Sequence, residues 1–199
     1  MDTVEERQIR AVFDDKTIRV YQAYSHEIAD SALKHGTFVS PPFSMNRMTW
    51  IKPSFLWMMY RSGWATKSGR ERILAIDITH MGFEWALDHA ILSTYNPELH
   101  KSQNIWQAQL QSAPVRLQWD PDRDIHLRKM ARRAIQIGLA GDALRRYVNE
   151  WITKITDITP DVHVIREVVS NGHDDDIKNR LPVEEVYSIN QCLRQPQIT

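Results

Sequence analysis

Gln22 lies in the stretch TIRVYQAYSHEIADSALKHGTF, Thr17 to Phe38, which reads as a strand, a polar turn and a short amphipathic helix. Side chains alternate along a strand, so Ile18, Val20, Gln22 and Tyr24 share one face. A glutamine there carries a donor and an acceptor into an apolar row, where a valine would pack at no polar cost. Gln136 does the same in RRAIQIGL: Ile135, Ile137 and Leu139 point one way, Ala134, Gln136 and Gly138 the other, and the small neighbours leave the amide room. A third feature is charge. HLRKMARRA, His126 to Ala134, with Lys67, Arg70 and Arg72, concentrates basic side chains that suit a phosphate backbone, and tryptophans beside them would suit stacked bases. The bland reading of such a cluster is a solvated surface.

Several chemistries are missing. The glycines form neither G-x-G-x-x-G nor G-x-x-x-x-G-K-[ST], so both common phosphate cradles are absent. The histidines fall in no H-E-x-x-H or i, i+4 pair and Cys192 is the lone cysteine, so no metal is expected. Asp120, Asp122 and Asp124 imitate the start of a calcium loop, but Ile125 stands where glycine must turn and Ala131 where a bidentate glutamate belongs. They read as a strand-end turn with a solvated acidic face, and His173 with Asp174, Asp175 and Asp176 as a surface loop. No G-x-S-x-G nucleophile turn is present.

The elements that must position these residues follow from periodicity. Thr17–Tyr24 is a strand; Ser25 caps a helix over His26–His35 with Ile28, Ala29, Ala32 and Leu33 on one stripe, and Gly36 ends it in the left-handed conformation. Arg47–Lys52 is a short strand, and Phe55–Met59, apolar all round, is a buried turn of helix after Pro53. RILAIDIT is a central strand, and Thr79 caps a helix in which Phe83, Ala86, Leu87, Ala90 and Ile91 match the i, i+3, i+4 template. Val115–Asp120 and Arg132–Leu139 are strands, with WDPDRD turning the first. Leu144, Tyr147, Val148 and Trp151 mark a helix, and Thr159-Pro160-Asp161 begins the last one, with Thr159 as cap. Strands and helices intersperse without a βαβ rhythm. The expected fold is therefore α+β, a single domain over residues 1–199 with a mainly antiparallel, curved or split sheet flanked by helices.

The 199 residues suffice for one substantial core, with 42% hydrophobic and 25% charged residues as in ordinary globular domains. Twenty-five basic residues balance twenty-five acidic ones, so no global field holds a polyanion. The longest apolar run, Phe55 to Tyr60, is far shorter than the ~20 residues that span a bilayer. No signal peptide is visible and the lone cysteine makes no internal disulfide, so the expectation is a cytoplasmic protein with no membrane partner. Seven tryptophans read first as packing, with a stacking platform as the alternative.

Three segments, TIRVYQAYSHEIADSALKHGTF, RMTWIKPSFLWMMYRSGW and ARRAIQIGLAGDALRRYV, resemble the domain of unknown function 4291 family, and the likeness covers nearly the whole chain. More distantly, Tyr21-Gln22-Ala23-Tyr24 resembles the first strand of NAD-dependent ADP-ribosyltransferases, with Gln22 in the place of their His or Arg. That resemblance implies an ADP-ribosyltransferase-like fold, NAD as substrate, and Tyr21, Gln22, Tyr24, Lys52 and Arg61 around the nucleotide. It implies Ser54 or Tyr60 beside the nicotinamide, and Gln136 where the family carries a catalytic Glu. Glutamine cannot supply the carboxylate that stabilises an oxocarbenium-like transition state, though it can hydrogen-bond a ribose hydroxyl. The implied activity is binding of NAD or a related nucleotide with little transfer, ADP-ribose transfer to a nucleic-acid or protein acceptor, or, as in the NAD-dependent RNA 2′-phosphotransferases of that superfamily, action on an RNA phosphate through Arg19, Arg132 and Arg133.

Other readings stand beside this one. Gln22 is equally a satisfied polar residue at a sheet end, Ser54 a helix cap, and Gln136 a partner for a neighbouring backbone group. The basic and aromatic surface fits a non-catalytic module binding tRNA or single-stranded nucleic acid, and the Trp and Met content fits an interaction or dimerisation protein. The sequence leaves the oligomeric state open.

Overall fold

The run RILAIDIT is apolar at successive positions because both of its faces are covered. In the computed structural model, which describes residues 7–172, 177 and 179–188, this run is strand β4 (Arg72–Thr79) at the centre of a three-stranded sheet. On one side it pairs antiparallel with β2 (Thr17–Tyr24) over eight residues, Thr17 opposite Thr79 through Tyr24 opposite Arg72. On the other it pairs antiparallel with β8 (Ile152–Asp157). Leu74, Ile76 and Ile78 face a cluster that takes Ala29 and Ala32 from helix α1 (His26–His35) and Phe83, Ala86 and Leu87 from α3 (His80–Asp88). Ile73 and Ala75 face the opposite cluster, with Tyr21, with Phe55, Met58 and Met59 of α2 (Phe55–Ser62), and with Val162 and Ile165 of α6 (Thr159–Ser170). Alternation thus sends each face of one sheet into its own core.

A second sheet has the order β3-β7-β6-β5, from β3 (Thr49–Ile51), β7 (Lys129–Leu139), β6 (Val115–Arg123) and β5 (Ala90–Leu92). Its pairings are antiparallel except β5 with β6. Among the described residues one backbone bridge links the two sheets, the Tyr21 N–H donating to the Lys52 carbonyl at 2.7 Å. A short third pairing joins β1 (Arg10–Ala11) to β9 (Glu185–Val186), antiparallel. The remaining elements are α4 (Gln103–Ser112), α5 (Gly141–Arg146) and a π turn, Tyr147–Trp151, that continues α5. The architecture is α+β with mainly antiparallel sheets, as expected, and the sheet is split. Among the described residues no helix is long and apolar enough to cross a membrane.

Four local expectations need correction. The helix after Thr79 stops at Asp88, where His89 stacks on Trp85 with ring centroids 3.8 Å apart; Ala90 and Ile91 belong instead to β5. Both residues suit either element, and pairing with Val115–Leu117 decides between them. WDPDRD does not turn β6: the strand runs on to Arg123, and the turn falls at Asp124–Arg128, where Asp124 accepts from the backbone of His126 and Arg128. Asp122 is 3% exposed, so the acidic series is no solvated face. Ile158, not Thr159, is the cap of α6; the Thr159 hydroxyl donates to Asp157 and accepts from the Ile73 N–H. Gly36, at φ 70°, ends α1 as expected. Residues 173–176 and 178 of the acidic loop and Cys192 lie outside the described residues.

Candidate functional site

The split between the sheets opens a cavity of about 810 Å³. Its floor is the β3-β7-β6 face, because period two turns Trp50, Gln118, Asp120 and Gln136 the same way; α2 and the segment around Arg70 form a wall. Among the described residues its lining carries the cations Arg47, Lys52, Arg61, Arg70, Arg123 and Lys129 and a single acid, Asp120. The expected site residues Gln22, Tyr24, Lys52, Tyr60, Arg61 and Gln136 all meet here.

Gln22 arrives with its amide already engaged. It is 2% exposed; its Nε2 donates to Thr49 Oγ1 at 2.7 Å and Tyr24 OH at 2.9 Å and lies 3.3 Å from the Trp50 carbonyl. Its Oε1 accepts from Tyr147 OH at 2.8 Å, and the Tyr24 and Thr49 hydroxyls meet at 2.7 Å. The glutamine therefore ties β2, β3 and the π turn together at the back of the cavity, which explains a polar residue in an apolar row. Burial pushes the Tyr24 and Tyr147 hydroxyls well above the ordinary phenol range, so both stay neutral and can donate.

Asp120 is held from two sides. Gln136 Nε2 donates to its Oδ2 at 2.6 Å and Gln118 Nε2 to its Oδ1 at 2.9 Å, and the two glutamines sit opposite each other in the β6-β7 register. Gln136 is thus an orienting group for a carboxylate. Lys52, just past the end of β3, is 6% exposed, and its Nζ donates to the Trp50 carbonyl at 3.1 Å. Burial, reinforced by the Arg61 and Arg70 charges, pushes its ammonium down to about 7. Tyr60 lies under the Arg123 guanidinium at 3.6 Å.

Five expected residues lie away from the cavity lining. Tyr21 is 1% exposed in the core between β2, α2 and α6. Ser54 caps α2, accepting from the Trp57 N–H and donating to Asp122 Oδ1 at 3.0 Å. Arg132 pairs with Asp122 at 2.7 Å, and Arg19 makes a two-pronged pair with Asp77 at 2.7 and 3.0 Å. Arg133 bridges to Arg7 through its backbone, and its Nε is buried with no partner among the described residues.

Sequence reasoning missed Asp120 as a site residue, together with Gln118. The signal was present: Gln118 and Asp120 follow Arg116 as the outward positions of an alternating strand, and such polar residues on one face next to Gln136 mark a shared polar floor. It also missed Arg47, and placed Arg70 on a surface rather than at a cavity wall. No group of three or more metal-ligating side chains gathers among the described residues. Comparison with curated proteins finds no match. The profile of one family, described as Domain of unknown function (DUF4291), matches residues 8–187, and to that family the chain belongs.

Proposed function

We propose that the chain binds NAD, or a nucleotide like it, in the cavity between the sheets and acts at the ribose C1′ as ADP-ribosyltransferases do. The observation that carries this reading is one carboxylate, Asp120, fixed by two glutamine amides and set in a ring of cations beside aromatic faces. Guanidinium forks at Arg47 and Arg61 suit a pyrophosphate, and Trp50 offers a flat surface to a base or a nicotinamide. As the C1′–N bond breaks, nicotinamide leaves with the bonding electrons and positive charge grows on the ribose. Asp120 supplies the negative charge that Gln136 lacks, and it costs no reorganisation because its two amides already hold it. An acceptor phosphate, or a hydroxyl or amine that gives up its proton to solvent, on a nucleic acid or protein then bonds to C1′. In this reading Gln22 acts by holding the cavity's back wall.

Calorimetric titration with NAD, followed by detection of free nicotinamide after addition of bulk tRNA and cell extract, tests the proposal. Micromolar binding with release is expected, and Asp120→Asn should keep binding while lowering release by at least about a hundredfold, the scale of losing one preorganised electrostatic group. Absence of binding at millimolar NAD refutes it. A strongly salt-dependent affinity for RNA in that same sample would favour the nucleic-acid module, although Arg128 and Arg132 of its basic cluster are already paired with Asp124 and Asp122.

A further inference from the structure

We propose that Lys52 is an amine nucleophile that forms an imine with the open-chain aldehyde of a phosphorylated sugar in the same cavity. Most lysines keep the ammonium in water or beside a carboxylate. This one does neither: it is 6% exposed, and among the described residues no carboxylate comes within ion-pair distance and its Nζ meets only the Trp50 carbonyl. Arg61 and Arg70 face it with like charge from α2 and the loop that follows, while Asp120 faces it from β6. Desolvation and neighbouring cations are the two means by which a lysine becomes a free amine near neutral pH, and both act here. The same arginines that discharge the amine would hold the phosphate of a substrate whose carbonyl carbon reaches it. Ligand class follows from these two halves: an aldose phosphate, such as a five-carbon sugar with its phosphate at the far end.

The step balances without an oxidant or reductant. The Lys52 lone pair attacks the aldehyde carbon, one amine proton passes through solvent to the carbonyl oxygen, and a carbinolamine forms. Departure of that hydroxyl as water, with the second amine proton supplied through solvent, leaves the carbon–nitrogen double bond; addition of water reverses it. The inference goes beyond the nucleotide reading, since it requires the cavity to admit a phosphorylated sugar and not that NAD be cleaved there.

The test is reductive trapping. The full chain is incubated with ribose 5-phosphate and borohydride, then digested and read by mass spectrometry. One reduced phosphopentosyl adduct on the Lys52 peptide is expected, at least tenfold more abundant than on exposed Lys67 or Lys154, which lie outside the cavity lining. Lys52→Arg should abolish it, and excess inorganic phosphate should suppress it. Equal labelling of the three lysines in the wild-type chain, or none at Lys52, overturns the proposal however the variant folds. Trapping without NAD binding would sink the nucleotide reading alone, and NAD turnover without trapping would sink this one alone.

Discussion

Replacing Gln22 by leucine keeps the volume and removes the amide that joins three elements. Tyr147 OH would lose its acceptor while fully buried, whereas the Tyr24 and Thr49 hydroxyls would keep each other at 2.7 Å. A neutral hydrogen bond contributes about 0.5–1.5 kcal/mol and an orphaned buried group costs about 1–3, so Gln22→Leu should lose roughly 2–4 kcal/mol. Tyr147→Phe orphans the Gln22 oxygen instead and should cost about 1–3 kcal/mol. In the double variant the Tyr147–Gln22 contact is lost once and neither partner is stranded, so its loss should fall short of the sum by at least about 1 kcal/mol. Urea unfolding followed by tryptophan fluorescence measures all three, with equal slopes as the check that each chain unfolds in one step. Losses that add to within about 0.5 kcal/mol would mean that the network does not hold the back wall.

Other outcomes follow from the same geometry. Because the Lys52 ammonium has moved from its ordinary 10.5 to about 7 in the folded chain, the unfolded chain binds one more proton between those values; stability should climb as pH rises from 7 towards 10.5 and be lost as it falls, and Lys52→Met should flatten the climb in urea midpoints at pH 6 and pH 9. At Gly138 an added methyl would lie 2.5 Å from Met48 Sδ and 3.0 Å from the Trp50 ring, so Gly138→Ala should cost about 1–3 kcal/mol in thermal or urea unfolding and push Trp50 towards the cavity. Ser54→Ala removes the α2 cap and should cost about 1 kcal/mol while leaving NAD affinity within twofold by calorimetry, since Asp122 keeps Arg132.

Much of the frame was legible because local chemistry and tertiary context agree in it. The alternation of Thr17–Tyr24, the stripe of α1 and the left-handed glycine after it all describe what packing then uses. Helix α4 was not legible: QNIWQAQLQS buries no residue completely, so it carries little of the periodicity that betrays a helix, and the Trp106 indole N–H bonded to the Leu92 carbonyl helps to hold it. The candidate site divides the same way. Gln22 and Gln136 announced themselves as polar breaks in apolar rows, but the partner that each serves depends on which strand lies alongside. Arg19 and Arg132 looked like free cations because a sequence shows charge and not cross-strand pairing; Asp77 and Asp122 neutralise them from 58 and 10 residues away.

The pairing of β1 with β9 sets a timetable for synthesis. Arg10 lies opposite Val186, and its guanidinium donates to the Glu184 carbonyl across 174 residues of chain. A ribosome adding about 5–20 residues per second needs roughly 10–35 s between the two strands. Throughout that interval the nascent chain holds Ile9 and Ala11, both buried in the finished molecule, without their closing strand. Among the described residues every other sheet partner is made by Asp157, so the strands that build the cavity precede the one that fastens this edge.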